Sequence, residues 1–379
     1  MRILFLTDGI YPFQLGGMQR HSALLCEHFS NRGVVITMVH CGGVDYSVEN
    51  FKEKFSSDLV EELLIPFHRT DSFPGHYVRE SKKYSKEIYN SVKERLKLFD
   101  LIYAQGFTPW YFLKAKNSGV KVPPVFSNRH GLNLFQPAYS LKAKVENQLL
   151  KPISRYILTN SDFVFSFGGK LDNIFEKIGV DEKRVLHQRN GVLASSILDQ
   201  PRQVGRKLRR FIFVGRNDKV KGFDLLLQAF LRLKVHHDIE LSVVGPFEGF
   251  QNNEFEGIQF LGEIRDYNQL LIEMSKHDCL ISTSYSEGLP LAILEAMSQG
   301  LAILGTDVGA TASLIDGNGL LIKKPIIDEV LYSMKEALKW SENELDERKR
   351  KSITLAKTDY SWSNIITEKL QLLEKMISS

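Results

Sequence analysis

The sequence has few cysteines and no long apolar run, and both absences narrow the class of protein. Its three cysteines, Cys26, Cys41 and Cys279, are scattered without a CxxC pair. That usage argues against a disulfide framework or a zinc site and favours a reducing compartment such as the cytoplasm. No run approaches the roughly 18 apolar residues of a membrane-spanning helix. The N-terminal MRILFLTDG turns polar too early for a signal peptide and predicts a buried strand instead.

A strong excess of charge of one sign is also missing. The net charge is +4, which is too small to indicate a nucleic-acid partner. The charge is unevenly placed, because residues 1–185 carry +6 and the remainder carries −2. The basic half is therefore compatible with an anionic membrane surface or an acidic substrate.

Short apolar runs alternate with amphipathic segments along the whole chain. The 379 residues, 43% of them hydrophobic, suffice for roughly two domains. Such alternation is typical of parallel βαβ units with helices on both faces of a sheet. In the first half it predicts strands over 2–7, 34–40, 100–106 and 123–131, helices over 16–32 and 77–98, and a helix followed by a strand over 153–169.

The pattern restarts after a polar stretch at 194–210, which has the composition of a linker. The sequence thus predicts a second α/β domain that begins near residue 190, and an amphipathic helix over 362–379. The predicted elements of this domain are strands over 211–215, 239–245, 258–262, 279–284 and 301–307 and a helix over 223–233.

Cations follow one of these strands in FIFVGRNDKVKGFDLLLQAF. Arg216, Lys219 and Lys221 lie between the strand and a helix predicted from Phe223. Open α/β sheets bind ligands at the carboxyl ends of their strands, and a strand end with cations and a helix N-terminus favours a phosphate site. The alternative is a loop whose cations are only solvated.

Two features of the first half occupy similar places. In LTDGIYPFQLGGMQRHS, Gly16 and Gly17 follow a strand and open a helix, so backbone amides can approach a ligand closely. A surface loop explains the glycines equally well. His130 follows the strand VFSNR and is a candidate site residue, although a structural histidine fits the pattern too. No GxGxxG follows any strand, which argues against a dinucleotide-dependent dehydrogenase.

The stretch SYSEGLPLAILEAMSQG, residues 284–300, places two acids eight residues apart. Pro290 suits the start of a helix and Gly300 its end. The helix start exposes N–H groups that can hold phosphate or sugar oxygens. Glu287 and Glu295 can then each accept hydrogen bonds from a vicinal diol, and a nucleotide sugar has one on the transferred sugar and one on the ribose. The alternative is an ordinary helix whose acids are solvated.

Together these motifs resemble glycosyltransferase family 4, whose members are retaining enzymes of the GT-B fold. The resemblance spans nearly the whole chain. It is carried by GGMQR from residue 16, RHG at 129–131, NGV at 190–192, FVGR to KG over 213–222, VVG at 243–245 and the two acids of EGLPLAILE at 287–295.

The resemblance implies an α/β protein with two facing Rossmann-like domains and the nucleotide-sugar donor between them. It implies an N-terminal acceptor-side domain over 1–188, a C-terminal donor domain over 189–360 and a helix over 361–379 that returns to the first domain. The implied catalytic residues are His130, Glu287, Arg216 and Lys221. The implied donor-binding residues are Gly16, Gly17, Arg216, Lys221, Gly245, Glu287, Gly288, Leu289, Pro290, Leu291 and Glu295.

The implied activity is transfer of a hexosyl group, with retention, from a nucleoside-diphosphate sugar to a hydroxyl of a saccharide or lipid-linked acceptor. Assembly of bacterial surface polysaccharide or glycolipid is the implied setting. No metal and no cofactor besides the donor is expected, because the chain has no DxD triplet of the metal-dependent GT-A class. A nucleotide-sugar epimerase or glycoside phosphorylase of the same fold, or a non-catalytic nucleotide-sugar-binding protein, remains an alternative.

The basic segment 139–158 bears on location. Its cations are interleaved with Leu, Ile and Tyr, which predicts peripheral contact of a cytoplasmic protein with an anionic membrane. A solvated helix face beside a core stripe explains the pattern as well.

Overall fold

A computed structural model describes residues 1–378 except 15, 45, 69–75, 137–140, 203 and 252–253. The chain forms two compact units, each built on its own parallel sheet. The N-terminal unit comprises Met1–Ser166, Asp172–Gln188 and Ile366–Ser379, and the C-terminal unit comprises Phe167–Leu171 and Arg189–Ile365.

The N-terminal unit contains a seven-stranded parallel sheet in the order β3-β2-β1-β4-β5-β6-β7. Its central strands are buried along almost their whole length, as expected when helices cover both faces of a parallel sheet. The strands are β1 Arg2–Leu6, β2 Val35–His40, β3 Val60–Leu64, β4 Leu101–Gln105, β5 Val125–Asn128, β6 Phe163–Ser166 and β7 Val185–His187.

Among the described residues of this unit, six α-helices connect or follow the strands. The predicted helix over 77–98 is α-helical to Val92 and continues as a 3-10 helix, Lys93–Leu98. The helices are α1 Gly17–Ser30, α2 Val48–Lys54, α3 His76–Val92, α4 Trp110–Asn117, α5 Leu141–Asn160 and α6 Lys170–Ile178.

The C-terminal unit contains a six-stranded parallel sheet in the order β10-β9-β8-β11-β12-β13. Its strands are β8 Arg210–Val214, β9 Glu240–Val244, β10 Ile258–Gly262, β11 Cys279–Ser282, β12 Ala302–Thr306 and β13 Gly319–Ile322. Its helices are α7 Phe223–Lys234, α8 Tyr267–Met274, α9 Leu291–Ser298, α10 Ile327–Leu338 and α11 Glu342–Thr358; α12, Trp362–Ser378, begins in this unit and ends in the first.

The strand order places a ligand site in the C-terminal sheet. The chain leaves β8 toward β9 on one side, and β11 pairs with β8 on the other side. The order therefore reverses between β8 and β11, and ligands of open α/β sheets bind at such a point, outside the carboxyl ends of the strands. The loops that follow these two strands contain Arg216, Lys221 and Glu287, and Glu295 lies in the helix that comes next.

The predicted linker is an integral part of the C-terminal unit. Leu208 is buried in the core of this unit, and the backbone N–H of Leu198 donates to the carbonyl of Ser298 at 3.0 Å. Arg206 donates to the buried Asp278 at 2.8 Å. The polar composition resembled that of a free linker, although Leu208 and Arg206 tie the segment to the core of this unit.

The basic segment 139–158, predicted to contact a membrane, is described only in part. Residues 139–140 of the basic segment lie outside the described residues, as do the side chains of 141–143. In the part of the chain that is described, no helix combines the length and the apolar character that crossing a bilayer requires. Peripheral membrane contact stays a prediction.

Candidate functional site

The loop after β8 is shaped by a short turn and a glycine. The Asp218 carboxylate accepts a hydrogen bond from the Val220 N–H at 3.2 Å and starts a 3-10 helix, Lys219–Lys221. Gly222 follows in the left-handed conformation, with φ of 65°, and begins α7. A Cβ at Gly222 would lie 2.1 Å from the carbonyl oxygen of Thr283, so only glycine allows this loop to approach the loop after β11.

Lys221 and Glu287 meet where these two loops touch. The Lys221 Nζ donates to Glu287 Oε1 at 2.7 Å, and Ser284 Oγ donates to the same oxygen at 2.6 Å. The exposed fraction is 28% for the Lys221 side chain and 12% for that of Glu287. The partly shielded pair is held by charge-assisted hydrogen bonds. The alternative in which Glu287 is a solvated acid is therefore wrong.

Glu295 lies one turn into α9 and is buried, with 5% of its surface exposed. A buried carboxylate needs polar partners, so a merely solvated role is wrong for this acid too. Pro290 is the residue before the helix, with φ of −71° and ψ of 113°. The N–H groups of Ile293 and Leu294 donate to the carbonyl of Pro290, so those of Leu291 and Ala292 are the first amides of α9 that can turn to a ligand, and they carry partial positive charge.

Gly245 brings a third loop to the same edge of the sheet. It follows β9 with φ of 145°, and a Cβ there would lie 1.9 Å from the carbonyl oxygen of Gly215. Its N–H donates to the carbonyl of Gly262 at 2.9 Å. The loops after β8, β9 and β10 are thereby fixed against one another through backbone contacts.

Arg216 is placed differently from Lys221. Its side chain is 74% exposed, and its nearest acidic partner is Asp218, at 4.0 Å. The guanidinium lies on the same loop as Lys221 without joining the Lys221–Glu287 pair. An exposed arginine on a loop of this kind is free to turn toward a ligand.

The remaining predicted residues belong to the N-terminal unit. Gly16 precedes α1, and its carbonyl accepts from the Arg20 N–H at 3.0 Å. Gly17 is the first residue of that helix. His130 follows β5 in the left-handed region, with φ of 51°, and its ring packs edge-on against His21 at 4.9 Å between centroids.

The His130 ring is held in its neutral form. Its Nε2 lies 2.9 Å from Gln105 Oε1, and its backbone N–H donates to Asn128 Oδ1 at 3.1 Å. Burial lowers the pKa of His130 to about 3, and the positive charges of Lys369 and Arg129 lower it further. A neutral imidazole can position a polar ligand but carries no charge with which to stabilise a phosphate.

Lys369 on α12 is a buried cation in the same unit. Its Nζ donates to Gln188 Oε1 and lies 4.5 Å from the ring centroid of Phe165 and 5.3 Å from that of Tyr103. Burial lowers the pKa of Lys369 to about 7. The charged form is thus disfavoured by burial, and the two aromatic faces and one amide oxygen offset only part of that cost.

Removing this buried cation is expected to change the pH dependence of stability. The folded pKa lies below the ordinary lysine value of 10.5, so the unfolded chain binds more protons between about pH 7 and 10.5, and stability rises with pH across that window. Lys369→Met should raise the free energy of unfolding by about 1–3 kcal/mol at pH 6 and have little effect at pH 10. Urea unfolding at pH 6, 8 and 10 measures this, and an equal effect at all three values would contradict it.

Superposition on solved structures identifies the fold. The chain matches sucrose-phosphate synthase from Thermosynechococcus elongatus with a TM-score of 0.77 and 16% identity, over 100% of this chain and 99% of that one. It matches the Anabaena protein HepE, solved with UDP and glucose, with a TM-score of 0.70 and 16% identity, over 99% of each chain. Likeness at these identities concerns the fold alone. The predicted class, α/β with two Rossmann-like parallel-sheet domains of the GT-B type, is confirmed.

Sequence comparison finds similarity to glycosyltransferases over part of the chain. Residues 209–339 match the family model described as glycosyl transferases group 1. The O-antigen biosynthesis glycosyltransferase WbnH of Escherichia coli is 30% identical over 165 residues, which are 42% of this chain and 45% of that protein. The MMP alpha-(1->4)-mannosyltransferase of Mycolicibacterium hassiacum is 27% identical over 198 residues, which are 48% and 46% of the two chains. The predicted resemblance is confirmed, and the chain spans less than half the length of these curated relatives.

Sequence reasoning missed two residues that organise the site. Ser284 donates to Glu287, and the Ser-x-x-Glu spacing that precedes the helix is a recognisable signal for such a local bond. Thr283 ties the two loops together, because its Oγ1 donates to the carbonyl of Gly222 at 2.8 Å. This second bond joins residues 61 positions apart and has no local signal.

Proposed function

We propose that the protein is a retaining glycosyltransferase that moves a hexosyl group from a nucleoside-diphosphate sugar to a hydroxyl of a saccharide or lipid-linked acceptor. The main support is the Lys221–Glu287 pair at the carboxyl ends of β8 and β11. Helix α9, which contains the buried Glu295, begins four residues after Glu287. This arrangement offers separate partners for a diphosphate and for hydroxyl groups within one unit.

The diphosphate would be held by Lys221, Arg216 and the first amides of α9. The Lys221 ammonium has three donors and gives one to Glu287, which leaves donors for phosphate oxygens. As the bond to the sugar breaks, negative charge grows on the departing diphosphate, and fixed cations and helix amides stabilise that charge. These groups would act as the electrostatic part of catalysis.

The two acids would hold the sugars at either end of the donor. Glu295 would accept hydrogen bonds from the ribose diol, and Glu287 from hydroxyls of the transferred sugar. Glu287 is kept in place by Ser284 as well as by Lys221. Gly245, Gly288, Leu289 and Pro290 would contribute backbone shape around the nucleotide.

The names of the relatives support the substrate class. WbnH is named as an O-antigen biosynthesis glycosyltransferase, and HepE was solved with UDP and glucose. A UDP-hexose is accordingly the first donor to test, and a surface polysaccharide precursor is the first acceptor class. Retention, metal independence and a cytoplasmic location rest on the family resemblance and stay predictions. His130, Gly16 and Gly17 belong to the N-terminal unit and stay predicted site residues, to which we assign positioning rather than proton transfer.

A nucleotide screen tests the proposed donor site. Wild-type protein is heated with UDP, GDP or ADP, each at about 100 times its dissociation constant, where binding to the folded state adds about 2.7 kcal/mol of stability. We expect at least one nucleotide to raise Tm, and Glu295→Gln to weaken its binding at least tenfold because the acid loses its charge. Glu240→Gln is the matched control, since Glu240 is exposed at the amino end of β9. A sugar donor of the best nucleotide then distinguishes transfer from acceptor-free conversion.

Two outcomes would remove the proposed donor site. One is that none of the nucleotides raises Tm. The other is that Glu295→Gln and Glu240→Gln bind the best nucleotide as tightly as the wild type. Conversion of the donor without any acceptor would instead support the epimerase alternative.

A further inference from the structure

Asp8 and Arg129 are two charged residues of the N-terminal unit to which the proposed function gives no role. Asp8 follows β1, and Arg129 follows β5. Both strands pair with β4, one on each side. Asp8 and Arg129 therefore lie at the carboxyl edge of the sheet, separated by the width of β4. That edge is where ligands of such sheets bind.

The Asp8 carboxylate is only partly satisfied. Its Oδ1 is buried and accepts no hydrogen bond from the described residues. Burial raises the pKa of Asp8, and its own backbone amide and the charge of Arg129 offset only part of that shift. Gly106 faces Oδ2, and a Cβ at this glycine would lie 3.8 Å from that oxygen. The carboxylate thus has an unused acceptor at Oδ1.

Arg129 packs against aromatic rings and forms no ion pair with any described acid. Its Cζ is 3.8 Å from the centroid of the Phe107 ring, and Tyr77 packs edge-on against the same ring at 5.7 Å between centroids. Its Nε is buried and finds no acceptor among the described residues, and burial lowers the pKa of Arg129 to about 10. In the part of the chain that is described, no ion pair joins Arg129 to Asp8.

A buried acceptor and a buried donor that remain unpaired are costly, and such sites persist where a ligand supplies the missing partners. A sugar hydroxyl can donate to the Asp8 carboxylate. A ring or hydroxyl oxygen can accept from Arg129, whose guanidinium is held over the buried Phe107 ring. A free phosphate fits less well, because the Asp8 carboxylate would repel it.

We propose that Asp8 and Arg129 form a saccharide-binding subsite of the N-terminal unit, in which Asp8 accepts a hydrogen bond from a sugar hydroxyl and Arg129 donates to a sugar oxygen. The subsite rests on the proposed function in one respect, since we assign it to the acceptor of the transfer. The part of the acceptor that contacts Asp8 and Arg129 is then an uncharged pyranoside.

Saturation-transfer NMR with simple glycosides tests the subsite. The probes are the methyl pyranosides of glucose, galactose, mannose and N-acetylglucosamine, each added to full-length protein with and without UDP. We expect at least one probe to bind the wild type, and Asp8→Asn and Arg129→Lys each to weaken it at least tenfold. Asp58→Asn is the matched control, because Asp58 is exposed on the same unit, and it should bind like the wild type.

A stability readout separates binding from structure. Asp8→Asn removes a charge that burial disfavours, so its Tm at pH 7 should equal or exceed that of the wild type while glycoside binding falls. Binding by none of the four probes, or unchanged binding by the Asp8 and Arg129 variants, would overturn the subsite. UDP affinity is measured on the same samples. A protein that does not bind UDP would count against the donor site alone, because glycoside binding is also measured without nucleotide.

Discussion

Lys221→Met is expected to lower the rate of transfer from a nucleoside-diphosphate sugar by about a hundredfold to a thousandfold, a loss typical of removing one fixed donor from a developing negative charge. Methionine keeps the length of the side chain but supplies no positive charge. It also removes the cation that lies 2.7 Å from Glu287 Oε1, while Ser284 still donates to the same oxygen. Both changes weaken the hold on the departing diphosphate, so kcat should fall more than the affinity for the acceptor.

Lys219→Met is the matched control for this prediction. Lys219 belongs to the same 3-10 helix, but its side chain is exposed and does not contact Glu287. We expect its rate to stay close to that of the wild type. Rates are measured with radiolabelled donor at saturating acceptor, and near-normal turnover by Lys221→Met, or an equal loss in both variants, would contradict the role assigned to Lys221.

Asp278→Ala is expected to destabilise the C-terminal unit by about 3–5 kcal/mol, the usual cost of leaving a buried charge without its partner. Asp278 is fully buried at the start of β11. Its Oδ1 accepts from Lys349 Nζ at 2.9 Å and from Arg206 Nη2 at 2.8 Å. Its Oδ2 accepts the backbone N–H groups of Arg209 and Arg210 at 3.1 and 2.9 Å. Burial lowers the pKa of Lys349 while Asp278 acts to raise it.

Asp238→Ala provides the comparison for Asp278→Ala. Asp238 also pairs with an arginine, Arg209, but its side chain is 72% exposed, and such surface pairs contribute about 0–1 kcal/mol. Urea unfolding followed by circular dichroism gives both free energies. Similar small losses in the two variants would show that the buried cluster does not anchor α11 and the 204–210 segment to the sheet.

The parts of the fold that the sequence predicted are those with strong local patterns. The strands β1, β8 and β11 are continuous apolar runs, and each was predicted to within two residues at either end. The strand β3, Val60–Leu64, was missed because it is an edge strand with two acids, whose exposed face has no apolar signal. Glu61 and Glu62 instead bond Arg95 and His40.

The site was predicted only in part, for the same physical reason. Lys221, Glu287 and Glu295 lie in short motifs next to strand ends, so general rules on α/β sheets point to them. Their partners depend on contacts between distant segments, as with the bond from Lys221 to Glu287, 66 residues apart. Asp8 and Arg129 lie within motifs that were quoted for their neighbours, and what marks these two residues is a buried atom that finds no partner among the described residues.

A crystal structure with UDP bound tests the central claim most directly. The account predicts the diphosphate within hydrogen-bonding distance of Lys221 and the first amides of α9, with the ribose hydroxyls on Glu295. Arg216 should turn from solvent toward the phosphates. A diphosphate bound elsewhere, or a ribose that leaves Glu295 without contact, would contradict the account.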